Sequence, residues 1–187
     1  MQKVLEPSAE LLARCAEGNR TAFRQIFEAY RSYAFNLIYK ITGPGGDHED
    51  LIQDVFFQVY LSLKSFKGQS TFKTWFHRLV IHACTRQWRY QNTEKRISPK
   101  DLVSMDAVEY GLSSGEQSQE KRVVLKDLVE KALEKLDMNL RIPLVLHIYS
   151  EMDLAEIAQI VDIPEGTVKS RLFTARKRMR EYLDGIE

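Results

Sequence analysis

Apolar residues return every three or four positions along most of the chain, the period of a helix with one buried face. Phe23, Ile26, Phe27, Tyr30, Ala34, Leu37, Ile38 and Ile41 form one such stripe, which Gly43-Pro44-Gly45-Gly46 ends. A second helix begins after Asp47 and carries Leu51, Ile52, Val55, Val59 and Leu63 on one side. A third begins near Thr71, with Phe72, Trp75, Phe76, Leu79 and Ala83 inward. With a shorter helix after Ser8 these make one bundle. Further on, Val124, Leu128, Ala132 and Leu136 space a helix, and Leu140 to Tyr149 another. Pro143 is tolerable there if it sits in the first turn, where its missing N–H has no partner to lose. No stretch shows the alternation of a strand, so the pattern predicts an all-α protein.

Residues 101–120 interrupt this periodicity with Ser, Gly and Gln and with five acids against no base. Such a stretch reads as a flexible acidic linker. It divides the chain into two small helical domains, 1–95 and 121–187, joined by a linker over 96–120 that leaves their relative orientation free. The 187 residues are 44% apolar and 28% charged, a globular composition. No apolar run approaches the roughly 20 residues of a membrane span, and the segment around Glu6, Glu10 and Glu17 lacks the apolar core of a signal peptide. A cytoplasmic protein with no membrane insertion of its own is expected. Cys15 and Cys84 lie outside any metal or redox spacing and read as small buried residues.

The net charge of +1 conceals strong segregation. Lys64 to Lys100 holds nine Lys or Arg and one acid, Glu94. On a helical wheel of residues 71–90, Thr74, His77, Arg78, Ile81, Thr85, Trp88 and Arg89 fall opposite the core face. Arg and aromatic groups on that face, with Lys64, Lys67 and Lys73 nearby, suit a DNA backbone and an unpaired base. The alternative is that Trp88 packs on a neighbouring helix. On the preceding helix, Asp50, Gln53, Asp54, Phe57 and Leu61 collect opposite the core. Apolar residues among acids fit a protein partner; the alternative is a solvated face with two stray apolar groups.

Near the C-terminus, Asp153-Leu154-Ala155-Glu156 has the form of a capping box before a short helix with Leu154, Ile157, Ala158 and Val161 inward. Asp162-Ile163-Pro164-Glu165-Gly166 then turns into a longer helix through Leu183. Ala158 is small enough for a crossing, Asp162 tolerates a left-handed turn, and Val168 supplies an apolar anchor, which together meet the needs of a helix-turn-helix. The second helix puts Val168, Leu172, Ala175, Met179 and Leu183 on one face, with Ser170, Thr174 and Lys177 opposite and Lys169, Arg171, Phe173, Arg178 and Arg180 on the flanks. Six bases against two acids from Glu165 to Tyr182 suit a major groove.

In order along the chain these segments resemble the extracytoplasmic-function (ECF) group of the sigma-70 family. DHEDLIQDVFFQVY at 47–60 is similar to the family's core-binding region 2.2. FKGQSTFKTWFHRLVIHACTRQWRY at 66–90 is similar to regions 2.3 and 2.4, which melt and read the −10 element. DLAEIAQIVDIPEGTVKSRLFTARKRMREYL at 153–183 is similar to region 4.2, which reads the −35 element. The resemblance implies that Asp50, Gln53, Asp54 and Phe57, with Leu61, meet the clamp of core RNA polymerase. It implies that Lys73, Thr74, His77, Arg78, Ile81, His82, Thr85, Arg86, Trp88 and Arg89 face −10 DNA, and that Thr167, Lys169, Ser170, Arg171, Phe173, Thr174, Arg176, Lys177 and Arg178 face −35 DNA. His82 and Arg86 stand where family members often carry Asn and Asp, Arg89-Tyr90 where they carry an Arg pair, and Thr174 where many carry Arg. The implied partners are RNA polymerase core, promoter DNA and an anti-sigma factor, with no cofactor and no metal.

Two other classes compete with this reading of the residues. A one-component regulator would join the helix-turn-helix to a ligand-sensing first domain, and would need an apolar pocket there. An enzyme finds little support: Gly43 to Gly46 lack the continuation of a phosphate loop, and His77 and His82, five apart, do not share a helix face as a metal pair does.

Overall fold

Several of the helices begin where a side chain takes up unpaired backbone N–H groups. The computed structural model describes residues 4–97 and 118–185, so most of the expected linker lies outside the described residues. Among these residues the chain is helical without strands: α1 (Ala9–Ala16), α2 (Arg20–Thr42), α3 (His48–Ser62), α4 (Phe72–Ile97), α5 (Ser118–Glu134), α6 (Met138–Tyr149), α7 (Leu154–Val161) and α8 (Glu165–Asp184). Ser8 Oγ accepts from the Leu11 N–H at 3.2 Å, Asn19 Oδ1 from Ala22 at 3.0 Å and Asp47 Oδ1 from Asp50 at 3.3 Å. The Glu6 carboxylate reaches across the bundle to the N–H groups of Phe72 and Lys73, placing a negative charge at the start of α4. Gly43, at φ 80°, ends α2 in a conformation that L side chains rarely adopt.

The capping box of α7 is complete. Asp153 accepts from the Glu156 N–H at 2.8 Å while Glu156 accepts from the Asp153 N–H at 3.0 Å. Asp153→Ala removes a cap from a helix only eight residues long, and is expected to cost about 1 kcal/mol, read as a lower urea midpoint with unchanged slope.

Pro143 departs from its expected place. α6 begins at Met138 rather than Leu140, so Pro143 lies in its second turn. Only the bond that residue 143 would donate to the Asn139 carbonyl is forfeited. The Asp137 carbonyl still starts the helix by accepting from Leu140 and Arg141 at 3.0 and 2.9 Å.

The first bundle, α1 to α4, is filled by Ile26, Tyr30, Leu37, Ile38, Ile41, Ile52, Phe72 and Phe76, all nearly fully buried. Tyr30 meets two of these rings edge-on, lying 5.2 Å from Phe72 and 5.0 Å from Phe76. In the second, α5 to α8, Leu144, Leu146, Ile157 and Ile160 are as deeply buried. Cys15 and Cys84 are buried free thiols, as the sequence suggested, and burial pushes Cys84 up to about 12.

The free orientation expected of two linked domains is not what the structure shows. α2 packs on α6 and α4 on α7, and one continuous apolar core runs through both halves. Lys40 pairs with Glu130 across this junction, Tyr39 Oη donates to Glu130 at 3.3 Å, and Arg141 Nη1 donates to the Ile41 carbonyl at 2.9 Å.

Candidate nucleic-acid and protein interfaces

The turn between α7 and α8 is built as a helix-turn-helix. Asp162 takes the left-handed conformation, φ 54° and ψ 53°, and its N–H returns to the Ala158 carbonyl. The next amide, Ile163, donates to the same carbonyl at 3.2 Å. Pro164 then sets the entry to α8, its carbonyl accepting from Thr167 and Val168. Val168, Leu172 and Ala175 bury against the rest of the domain, and Met179 lies half-buried beside them. The opposite side is left to solvent.

On that side Lys169, Ser170, Phe173, Arg176, Lys177 and Arg178 are exposed, while Thr167, Arg171 and Thr174 are half-buried. Phe173 is 72% exposed, which makes a large apolar side chain available among the basic residues of this side. Ser170 Oγ donates to the Thr167 carbonyl at 2.9 Å and Thr174 Oγ1 to the Ser170 carbonyl at 3.0 Å, so both hydroxyls keep lone pairs for a ligand. Arg178 pairs with Asp137 at 3.1 Å, which draws it toward the α5–α6 junction.

The outer face of α4 differs from the sequence expectation. Thr74, His77 and Ile81, placed outward by the wheel, are 4%, 0% and 5% exposed. The physical reason is the second domain, which lies on them. Lys73 Nζ donates to the Ser150 carbonyl at 2.8 Å and Arg78 Nη2 to the Gln159 carbonyl at 2.7 Å, so two cations expected to hold phosphate hold backbone oxygens instead. Farther along α4, His82, Thr85, Arg86 and Arg89 line an open cleft that Arg171 faces from α8. Trp88 is 43% exposed near the end of the same face.

At the centre of the covered region, His77 Nδ1 donates to the Lys73 carbonyl at 2.7 Å. A carbonyl only accepts, so this fixes the tautomer and leaves Nε2 as acceptor for Tyr33 Oη at 2.8 Å or Ser150 Oγ at 3.0 Å. Tyr33 Oη and Ser150 Oγ are themselves 3.2 Å apart, closing the cluster. Burial lowers the His77 pKa to about 4, assisted by the Lys73 charge and opposed by the Lys73 carbonyl. Burial likewise pushes Tyr33 up to about 12. Tyr33 comes from α2, His77 from α4 and Ser150 from the end of α6, so the cluster spans both domains.

On α3 the residues Asp50, Gln53, Asp54, Phe57 and Leu61 are all exposed and share the side away from the core. Phe57 and Leu61 are 58% and 54% exposed. Asp54 pairs with Arg86 of α4 at 2.7 Å, both groups being more than half exposed. A partner that takes up Asp54 therefore releases Arg86.

Sequence reasoning did not single out Tyr33, Ser150 or Arg141. Arg141 was legible in principle as a lone cation inside the apolar run Leu140 to Leu146. Among the described residues no group of three or more His, Cys, Asp or Glu side chains is gathered as a metal site needs. No described helix is long and apolar enough to cross a membrane.

Residues 26–94 match the family described as Sigma-70 region 2, and residues 126–179 match Sigma-70, region 4. The chain is 30% identical over 171 residues to the ECF RNA polymerase sigma-E factor of Escherichia coli K12, covering 89% of each. It is 27% identical over 183 residues to the ECF RNA polymerase sigma-E factor of Haemophilus influenzae, covering 94% of this chain and 95% of that one. Two solved structures share the fold. The sigma factor RpoE of Bartonella quintana, in complex with the anti-sigma factor NepR, superposes with a TM-score of 0.70 at 23% identity, over 87% of this chain and 96% of that one. CnrH, in complex with the cytosolic domain of CnrY, gives 0.67 at 21% identity over 95% and 97%. With both family regions present in order and near full-length likeness to named relatives, the chain belongs to the ECF sigma factors of the sigma-70 family.

Proposed function

We propose that this sigma factor docks on core RNA polymerase through the outer face of α3, reads −10 DNA with α4 and reads −35 duplex with α8, so directing promoter-specific initiation. Residues 1–95 serve docking and the −10 element, residues 121–187 serve the −35 element, and residues 96–120 tether them. The observation that carries this reading is Phe173, held out from a basic face by a helix-turn-helix whose other side is fully spent on its core. The major groove admits such a helix, with side chains of its outer face reaching base edges and flanking cations reaching phosphate. Two readers on one chain raise each other's effective concentration on a promoter. Base capture by α4 offsets the cost of opening the strands.

The polymerase supplies the chemistry and its metal, and this chain acts as a non-enzymatic factor in the cytoplasm. Membership of the family speaks against the ligand-sensing regulator, and so does a first bundle packed with Tyr30, Phe72 and Phe76 where a pocket would have to be. By likeness to the two complexes with anti-sigma or cytosolic partners, an anti-sigma factor is proposed to hold this chain inactive.

The test is run-off transcription from a pool of random promoter-length duplexes, with core polymerase alone and with this chain added, followed by sequencing of the transcribed templates. Transcripts that depend on the chain and share two spaced motifs are expected. No gain of initiation with several bacterial cores at low salt would overturn the reading.

A further inference from the structure

The covered face of α4 is the one surface of the proposed function that this structure withholds. The docking residues on α3 and the outward residues of α8 are exposed, whereas Thr74, His77 and Ile81 lie under the second domain and Lys73 and Arg78 are bonded to its carbonyls. We propose that the Tyr33–His77–Ser150 cluster is a latch that holds the two domains together over the −10 face, and that protonation of His77 releases it. This rests on the assignment of that face to −10 DNA. The latch itself does not, because it concerns only how one domain holds the other.

The geometry makes the cluster sensitive to one proton. With Nδ1 committed to the Lys73 carbonyl, the remaining site on His77 is Nε2, an acceptor for the hydroxyl of Ser150 at the end of α6 or of Tyr33 on α2. Protonated, Nε2 becomes a donor, and the ring carries a charge at 0% exposure. The charged and titratable groups around it give that charge no relief. Lys73, one turn back on α4, is a cation whose charge already disfavours the imidazolium. Tyr33 is neutral, held so by burial, and Glu151, which follows Ser150, acts on Tyr33 from farther out. Separation of the domains returns His77 toward water and its ordinary titration.

The sign follows from linkage. A histidine whose pKa is lower in the closed form favours that form fully above about pH 6.5 and loses the preference as pH falls toward 4. Full exposure on opening makes the open-to-closed ratio on the order of thirtyfold higher at pH 5 than at pH 7.5. Acid thus exposes Lys73, Thr74, Arg78 and Ile81 together, while docking and −35 surfaces stay as they were.

The experiment counts open and closed molecules of the full chain by single-molecule energy transfer. Dyes sit on Lys67→Cys and Arg180→Cys, exposed positions on the two domains and outside the latch, with urea below the helical transition to populate the open form. The open-to-closed ratio is expected to rise on the order of thirtyfold from pH 7.5 to pH 5, with helicity constant, and to change less than about threefold in His77→Gln. An unchanged ratio, an equal rise in His77→Gln, or a loss of helicity over the same window overturns the latch. Should His77→Gln fail to fold, Ser150→Ala serves: it is expected to raise the ratio about fivefold at pH 7.5 and keep the acid response, and a wild-type ratio at pH 7.5 overturns the proposal. No polymerase or promoter enters these measurements, so they fail or succeed independently of the run-off assay.

Discussion

Arg141→Met is expected to cost the folded chain about 3–5 kcal/mol, more than any surface substitution in it. Arg141 is 9% exposed and donates to three backbone carbonyls: Ile41 at 2.9 Å, Glu134 at 2.6 Å and Leu136 at 2.8 Å. Ile41 lies in the last turn of α2 and Glu134 ends α5, so two of these oxygens are carbonyls that a helix leaves without an internal partner. A cation at that point also meets the negative ends of both helix dipoles. Methionine fills much of the volume but strands all three acceptors in a place water does not reach, and each costs about 1–3 kcal/mol unpaired. Part of this is offset because a buried guanidinium is itself costly, its Nε having no hydrogen-bond partner. The readout is thermal unfolding followed by circular dichroism, with a midpoint lowered by roughly 10 °C. Arg141→Lys is expected to recover only part of the loss, since one ammonium cannot span three carbonyls on two helix ends. A loss under about 1 kcal/mol for Arg141→Met would show that the junction relaxes to let water in.

How much of this was legible beforehand depends on whether the deciding contact is local. The stripes of α2, α3 and α4, the caps Ser8, Asp47 and Asp153 and the left-handed Asp162 are properties of a few neighbouring residues, and sequence spacing specifies them. The outer face of α3 also lies where its wheel puts it, because none of the described elements buries it. The wheel failed on α4 for a physical reason. It divides a helix into one inner and one outer face, whereas α4 buries Phe76 and Val80 against its own bundle and Thr74, His77 and Ile81 against another domain. Ile81, an apolar residue in line with His77 and Thr85 on an otherwise polar side, was the available hint. Arg141 and the Tyr33–His77–Ser150 cluster join residues up to 117 positions apart, a separation at which spacing carries no signal.

Phe57→Ala with Leu61→Ala is expected to abolish most transcription while leaving the isolated chain as stable as before. Both side chains are more than half exposed on α3, so truncation removes little buried area and replaces them with a better helix former. An apolar pair ringed by Asp50, Gln53 and Asp54 is built like the centre of an interface, in which a few desolvated side chains carry most of the affinity. Losing two such anchors weakens binding to core polymerase by on the order of a hundredfold, read by titrating labelled chain with core. Run-off transcription at limiting chain should fall in parallel and recover at high concentration, because the truncation acts on docking and not on DNA reading. Phe173→Ala separates the two steps: it is expected to leave core affinity unchanged and to lower transcription at every concentration from promoters whose −35 element is read. Core affinity within about threefold of wild type for the double variant would remove α3 from the docking surface and leave its apolar pair as a solvated face.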